Sequence, residues 1–266
     1  MKIIAIVQAR LGSSRLPGKV LRKIGDFSLI ITLLKRLSCS SLVDKIVLAT
    51  TDSALDDKLA DHVQNYDFDV VRGSESDVLS RYFIAAQKYN PEIILRITGD
   101  CPLIDPTIVD DLIKLFIEKK VDYASNSNPA TFPDGLDVEI FKYKTLEISN
   151  DLAKNKFDRE HVTPFMRTLR FSNYCMKSKI NYSNFRWTVD ENEDLKVVKN
   201  IFNYFYPNIF FKWTDTLEYQ KKHEHLFANQ HIKRNEGAFM NTGQKLWKRA
   251  KKVIPGGNML LSKRPE

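Results

Sequence analysis

IVQARLGSSRLPGKVL, residues 6–21, runs an apolar, strand-like segment straight into a loop that carries Arg10, Arg15 and Lys19 among Gly12, Ser13, Ser14, Pro17 and Gly18, before apolar residues resume. In a loop of this make-up the backbone N–H groups can line a concavity while the cations supply fixed positive charge, a combination suited to a triphosphate. Neither familiar glycine pattern is met. Five residues separate Gly12 from Gly18 and Val20 follows Lys19, which excludes a P-loop, and Gly12-Ser13-Ser14-Arg15 lacks the spaced glycines of a dinucleotide fold. The competing reading is a solvated turn whose cations face water, and on either reading Lys19 is expected to contribute little to folding stability.

Outward from that loop, strand and helix signals alternate. Apolar, β-branched runs at 2–8, 45–50, 68–71, 93–97 and 121–125 are separated by helical periodicity near 28–38, 54–65, 77–89 and 107–118. This rhythm predicts βαβ units, an α/β class and a mostly parallel sheet. Ligands bind such sheets beyond the carboxyl ends of the strands, which directs attention to 9–19, 50–52, 72–77 and 98–105. After residue 125 the alternation becomes irregular, and the Pro- and Asn-containing stretch 126–135 suits an inserted segment over the substrate.

The chain has 266 residues, 43% of them hydrophobic, enough for one large domain with an appendage. No apolar run approaches a membrane span and the Met1–Val7 start is too short for a signal peptide, so a cytoplasmic protein without membrane partners is expected. Cys39, Cys101 and Cys175 are odd in number and form no zinc pattern, and His223 with His225 reads as a solvated helix face. The net charge of +8 is a property of the tail: of 41 Lys and Arg and 33 Asp and Glu, residues 221–266 hold 11 and 3, leaving 30 of each in 1–220. No basic face with interleaved aromatics remains to argue for nucleic acid.

Six blocks occur in order: Gln8-Ala9-Arg10-Leu11-Gly12-Ser13-Ser14-Arg15-Leu16-Pro17-Gly18-Lys19; Ala49-Thr50-Thr51-Asp52; Arg72-Gly73 leading to Asp77-Val78-Leu79; Arg96-Ile97-Thr98-Gly99-Asp100-Cys101-Pro102-Leu103; Asp158-Arg159-Glu160-His161-Val162-Thr163-Pro164; and Trp187-Thr188-Val189-Asp190 before Glu193-Asp194-Leu195. Over residues 1–220 this set resembles the cytidylyltransferases that activate acidic sugars, the CMP-Kdo and CMP-neuraminate synthetases, and most of all their SpsF-like relatives. The resemblance implies a Rossmann-like αβα nucleotidyltransferase sandwich with a mostly parallel mixed sheet and an inserted acceptor-binding and dimerisation segment. It implies CTP as substrate, Mg²⁺ as cofactor, a small acidic-sugar, amino-sugar or phosphorylated acceptor, a homodimer and a place in surface-polysaccharide synthesis.

Carried onto this sequence, the resemblance gives Arg15 and Lys19 the catalytic role at the phosphates. Ala9, Arg10, Gly12, Ser14 and Asp77 fall to the nucleotide, and Asp137, Glu139, Arg159 and His161 to the acceptor. Asp100 and Asp190 match metal ligands, and two carboxylates suffice for an Mg²⁺ that keeps several waters. Each also reads as a helix N-cap, Asp100 before the 102–104 turn and Asp190 before a helical stretch at 193–204, and Asp77 equally suits a cap. Gly135–Glu139 alternates as a strand would, with Asp137 and Glu139 on one face that either meets acceptor hydroxyls or ammonium or lines a solvated edge.

These signals divide the chain into a cytidylyltransferase domain at 1–222, a linker at 223–241 and an amphipathic helix within 242–266. The run LWKRAKKVIPGG in that last part resembles the opening of class III aminotransferases of the glutamate-1-semialdehyde type. Pyridoxal phosphate is expected only with a downstream domain of that kind. Two other functions compete. A glycosyltransferase on a similar fold needs an Asp-x-Asp site, but Asp67-Phe68-Asp69 precedes the Val70-Val71 strand instead of following it. A catalytically silent scaffold for an aminotransferase has no need of Arg15, Lys19, Asp100 and Asp190 together.

Overall fold

The computed structural model describes residues 1–232 and 234, and the aminotransferase-like stretch at 242–266 lies outside them. The chain divides into a unit at Met1–Asn229 and a second at Gln230–Glu266. Within the first, β1 (Ile3–Gln8) leads through the quoted loop to the short hairpin β2 (Lys23–Ile24) and β3 (Phe27–Ser28), then α1 (Leu29–Leu37). β4 (Lys45–Thr51), α2 (Asp57–Gln64), β5 (Asp69–Gly73), α3 (Val78–Tyr89), β6 (Ile93–Thr98) and α4 (Pro106–Lys119) complete the predicted alternation. The irregular half then adds β7 (Tyr123–Ser125), β8 (Glu139–Lys142), α5 (Tyr143–Leu152), α6 (Lys156–His161), β9 (Asn173–Cys175), α7 (Asn192–Phe205) and α8 (Trp213–Lys222).

One seven-stranded sheet runs in the order β5-β4-β1-β6-β8-β7-β9. β5, β4, β1 and β6 pair in parallel, β8 is antiparallel to both β6 and β7, and β9 runs parallel to β7. The sheet is the mostly parallel mixed sheet that the resemblance implies. Strand period two splits its apolar residues between two cores. Ala5, Val7, Leu95 and Ile140 pack with α1, α4 and α7 on one face, while Ile4, Ile6, Ile94 and Phe141 pack with α3 and Leu146 of α5 on the other. On this second face the same alternation continues into polar residues: Gln8 and Arg96 lie two residues after Ile6 and Ile94, Glu139 lies two before Phe141, and Tyr123 and Ser125 pair with Phe141 and Glu139 across β7 and β8.

The structure corrects one strand. β8 begins at Glu139, and Gly135, with φ of 108°, puts the chain before it in a turn, so Asp137 shares no strand face with Glu139. Glycine is needed there, because of this φ and because a Cβ on Gly135 would lie 2.6 Å from Thr188 N. Toward the end of the first unit, within the stretch expected as linker, Asn229 is buried and donates to Asp194 Oδ1 at 2.8 Å and to the Arg186 carbonyl at 3.1 Å.

Candidate active site

The loop after β1 is closed on itself by Leu11, whose carbonyl accepts from Ser13 N at 2.9 Å and Gly18 N at 3.0 Å. Leu11 N in turn donates to the buried Asp56 at 2.7 Å, so Gly12–Pro17 form a bulge over the strand ends. Gly18 takes the left-handed conformation, φ 66°, and reverses the chain into a single 3-10 turn, Lys19–Leu21. That reversal directs Lys19 inward. Its side chain is only 10% exposed, and Nζ lies 3.0 Å from Asp100 Oδ2 and 2.8 Å from Asp190 Oδ1. Arg15 Nη2 reaches the same Asp190 oxygen at 2.9 Å. The competing reading of a solvated turn does not hold for Lys19: the partners that bury it lie 81 and 171 residues away.

The backbone explains how such distant carboxylates meet. Gly99 N donates to Gln8 O at 2.8 Å, and a Cβ on Gly99 would lie 2.6 Å from that of Ala9, so only glycine lets the end of β6 approach β1 this closely. Val189 N and Thr188 Oγ1 both donate to the Asp100 carbonyl, at 2.9 and 3.2 Å, which ties the segment before Asp190 to the end of β6. Neither aspartate caps a helix. Asp105 caps α4 by accepting from Thr107 N at 2.8 Å, and Glu191 and Asp194 cap α7. Burial alone would raise the Asp100 pKa, but Lys19 together with hydrogen bonds from Thr98 and the backbone outweighs it and holds the carboxyl at about 2. For Lys19 burial acts downward and the two aspartates act upward more strongly, so its ammonium is stabilised.

Beneath Asp190 lies a residue that the sequence reading missed. Arg186 is 3% exposed and forks onto Asp194, Nε to Oδ1 and Nη2 to Oδ2, both at 2.9 Å. Its Nη1 donates to Asp134 at 2.9 Å and its Nη2 also lies 3.3 Å from Asp190 Oδ2.

On the other face of the sheet, Glu139 is buried and accepts from Arg96 Nη1, Tyr123 OH and Thr163 Oγ1. Burial pushes its pKa up, and Arg96 with the two hydroxyls reverses that, so the net direction is down. Glu139 therefore lines no solvated edge. Val162, buried with φ 70° and ψ −55°, holds a strained turn closed by Thr163 N on His161 O at 2.8 Å, and this turn delivers Thr163 to Glu139. Ser125, paired with Glu139 across β7 and β8, keeps a buried Oγ with no hydrogen-bond partner.

The remaining candidates are placed as follows. Arg10 is exposed and paired with Glu75 at 2.5 Å, Ala9 is buried at the strand end, and Gly12 and Ser14 lie exposed on the bulge. Asp77 caps α3 through Ser80 N at 2.9 Å and is gripped by Arg159 Nη2 at 2.6 Å, so a nucleotide candidate and an acceptor candidate hold each other. The His161 ring lies 4.5 Å from that of Phe157. Asp69 begins β5 and pairs with Lys45, at the strand end opposite to this site. Among the described residues no three His, Cys, Asp or Glu side chains cluster as a metal site, and no helix is long and apolar enough to cross a membrane.

The cytidylyltransferase family profile matches residues 4–233. The chain belongs to the cytidylyltransferase family. It is a CTP-dependent nucleotidyltransferase of the SpsF-like kind, as the six blocks imply. The spore coat polysaccharide biosynthesis protein SpsF of Bacillus subtilis is 34% identical over 209 residues, 75% of this chain and 86% of that protein. A 3-deoxy-manno-octulosonate cytidylyltransferase of Chlamydia pneumoniae is 41% identical over 115 residues, which span 42% of this chain and 44% of that one. Among solved structures, a cytidylyltransferase from Leptospira borgpetersenii superposes with a TM-score of 0.83 at 34% identity, over 88% of this chain and all of the other.

Proposed function

We propose that this enzyme transfers CMP from CTP to a hydroxylated sugar or small phosphorylated acceptor, assisted by Mg²⁺, as a step in surface-polysaccharide synthesis. The observation that carries the site assignment is Lys19 held between Asp100 and Asp190 beside Arg15, at the strand ends of a cytidylyltransferase. An acceptor oxygen attacks the α-phosphorus, the bond to the β-phosphate breaks, and pyrophosphate leaves with the electron pair. Lys19 and Arg15 stabilise the charge that grows on the departing oxygens, which is worth most where water is partly excluded. Ala9, Arg10, Gly12 and Ser14 border the nucleotide.

The donor set suits a hard divalent cation. Two carboxylate oxygens from separate elements already converge on one cation, the Lys19 ammonium, and both aspartates are partly open to water. Asp100 and Asp190 would hold Mg²⁺, with water and phosphate oxygens completing its coordination, and it would offset the negative charge of the phosphates. Lys19, whose two carboxylate partners these are, would then be free to meet the phosphates.

The acceptor end of this reading is the polar patch of Glu139, Tyr123, Thr163 and Ser125, with Asp137, Arg159 and His161 assigned to the acceptor as well, while Asp77, which holds Arg159, stays with the nucleotide. The resemblance of the enzyme to SpsF and to a 3-deoxy-manno-octulosonate enzyme supports a sugar there. Release of pyrophosphate from CTP, measured across neutral, amino, acidic and phosphorylated sugars and small amino-alcohol phosphates, tests the reading. Turnover with at least one hydroxylated acceptor and Mg²⁺ is expected; release that is independent of every acceptor contradicts it.

A further inference from the structure

Asp190 divides its two oxygens between two cationic environments. Oδ1 faces the site, where Lys19 and Arg15 lie at 2.8 and 2.9 Å. Oδ2 faces the interior, where Arg186 Nη2 lies at 3.3 Å. The guanidinium cannot turn to follow Asp190. Its Nε and Nη2 are locked by the fork onto Asp194 and its Nη1 by Asp134, while Asp194 is itself buried and accepts from Asn229 Nδ2 at 2.8 Å and from the backbone N–H groups of Asp190 and Glu191 at 2.9 and 3.0 Å. Asp194 thus holds both the guanidinium and the Asp190 backbone, and it fixes the distance between them. A planar fork of five donors does this; a lysine ammonium in the same place does not.

We infer that Arg186 is a positioning residue that withholds Asp190 Oδ2 and offers Oδ1 alone to the cation of the reaction, so that Asp190 binds Mg²⁺ through one oxygen. The inference rests on the reading of Asp190 as a metal ligand. Its consequence is chemical: a carboxylate limited to one oxygen leaves coordination positions for water and phosphate, which Mg²⁺ favours over a closed protein cage. A clasp that only joined α7 to the turn at 134–135 would leave metal binding untouched when loosened.

The test is a Mn²⁺ titration of the full chain with CTP present, followed by electron paramagnetic resonance, on the wild type, Arg186→Lys and Asp190→Asn. Arg186→Lys is expected to raise the half-saturating Mn²⁺ concentration by about tenfold or more, the scale for losing an outer partner of a metal ligand, with metal-free CTP binding unchanged. Asp190→Asn is expected to lose the site. Wild-type Mn²⁺ affinity in folded Arg186→Lys, with the site lost in Asp190→Asn, overturns this inference alone. Wild-type affinity in Asp190→Asn overturns the metal reading beneath it. Should Arg186→Lys not fold, a crystal structure of the wild type with CTP and Mn²⁺ decides: one Asp190 oxygen on the metal and the other on Arg186 is expected, and both oxygens on the metal overturns the inference.

Discussion

Beside the loop after β1, Lys19 and Arg15 lie against Asp100 and Asp190, whose side chains are 25% and 18% exposed; on the second face of the sheet, Arg96 and Glu139 are 14% and 9% exposed and surrounded by Tyr123, Thr163 and Gln8. Both sites pair cations with carboxylates, the first in loops beyond the strand ends and the second on the sheet itself, in β6 and β8. A pair that water reaches can exchange one partner for a ligand charge, because the released group is quickly solvated or meets the ligand itself. A pair saturated by hydroxyls and shut away from water costs several kcal/mol to break and so shapes the pocket instead of turning over in it. The first arrangement suits exchange with a ligand, as the proposed phosphate site requires; the second suits a fixed wall of the proposed acceptor pocket.

The comparison predicts an ordered series of effects. The largest belongs to Asp100→Asn, which on the proposed reading removes a metal ligand: pyrophosphate release should fall by about a thousandfold or more while the melting temperature changes by only a few degrees. Next is Lys19→Ala, expected to slow transfer by about a hundredfold or more, as for a lost stabiliser of developing charge. Because Lys19 is buried between two carboxylates, this variant also loses stability, and Mg²⁺ alone should raise its melting temperature more than that of the wild type. An equal rise in both would mean that the cation does not enter where Lys19 sits.

At the fixed wall, Glu139→Gln strands the buried Arg96 charge and should cost about 3 kcal/mol in a urea titration, with the CTP-induced thermal shift unchanged. A lost CTP shift would merge the two ends into one. The smallest effect is that of pH. The Asp100 carboxyl, held at about 2, contributes stability that is fully present above the ordinary carboxylate range near pH 4 and is lost as the pH falls toward 2. Urea midpoints measured across that window should fall less steeply for Asp100→Asn than for the wild type.

Legibility in the sequence followed the same division. β1, β4 and β6 were readable because each is an apolar run buried between two layers, and α2, α3 and α4 because each presents one apolar stripe; the half-buried edge strand β5 and the almost wholly buried α1 were readable from their apolar residues and from the alternation around them. The cationic loop was readable because it is continuous. What escaped was pairing across long separations: Arg186 draws on Asp134 and Asn229, and nothing local marks a buried arginine beyond the alternation Arg186-Trp187-Thr188-Val189 leading into Asp190 and Asp194. Glu139 looked like one tooth of an amphipathic strand, since local alternation does not show that Gly135 turns the chain and places Asp137 off the sheet.

The central claim is that Asp100 and Asp190 exchange Lys19 for a divalent cation when CTP arrives. Calorimetric titration of CTP into the wild type and into the Asp100→Asn/Asp190→Asn double variant, each with and without Mg²⁺ and without acceptor, measures this directly. The account predicts that Mg²⁺ strengthens CTP binding to the wild type by about tenfold or more and leaves the double variant unaffected, since hard oxygen ligands are what it loses. Equal strengthening in both proteins would contradict it.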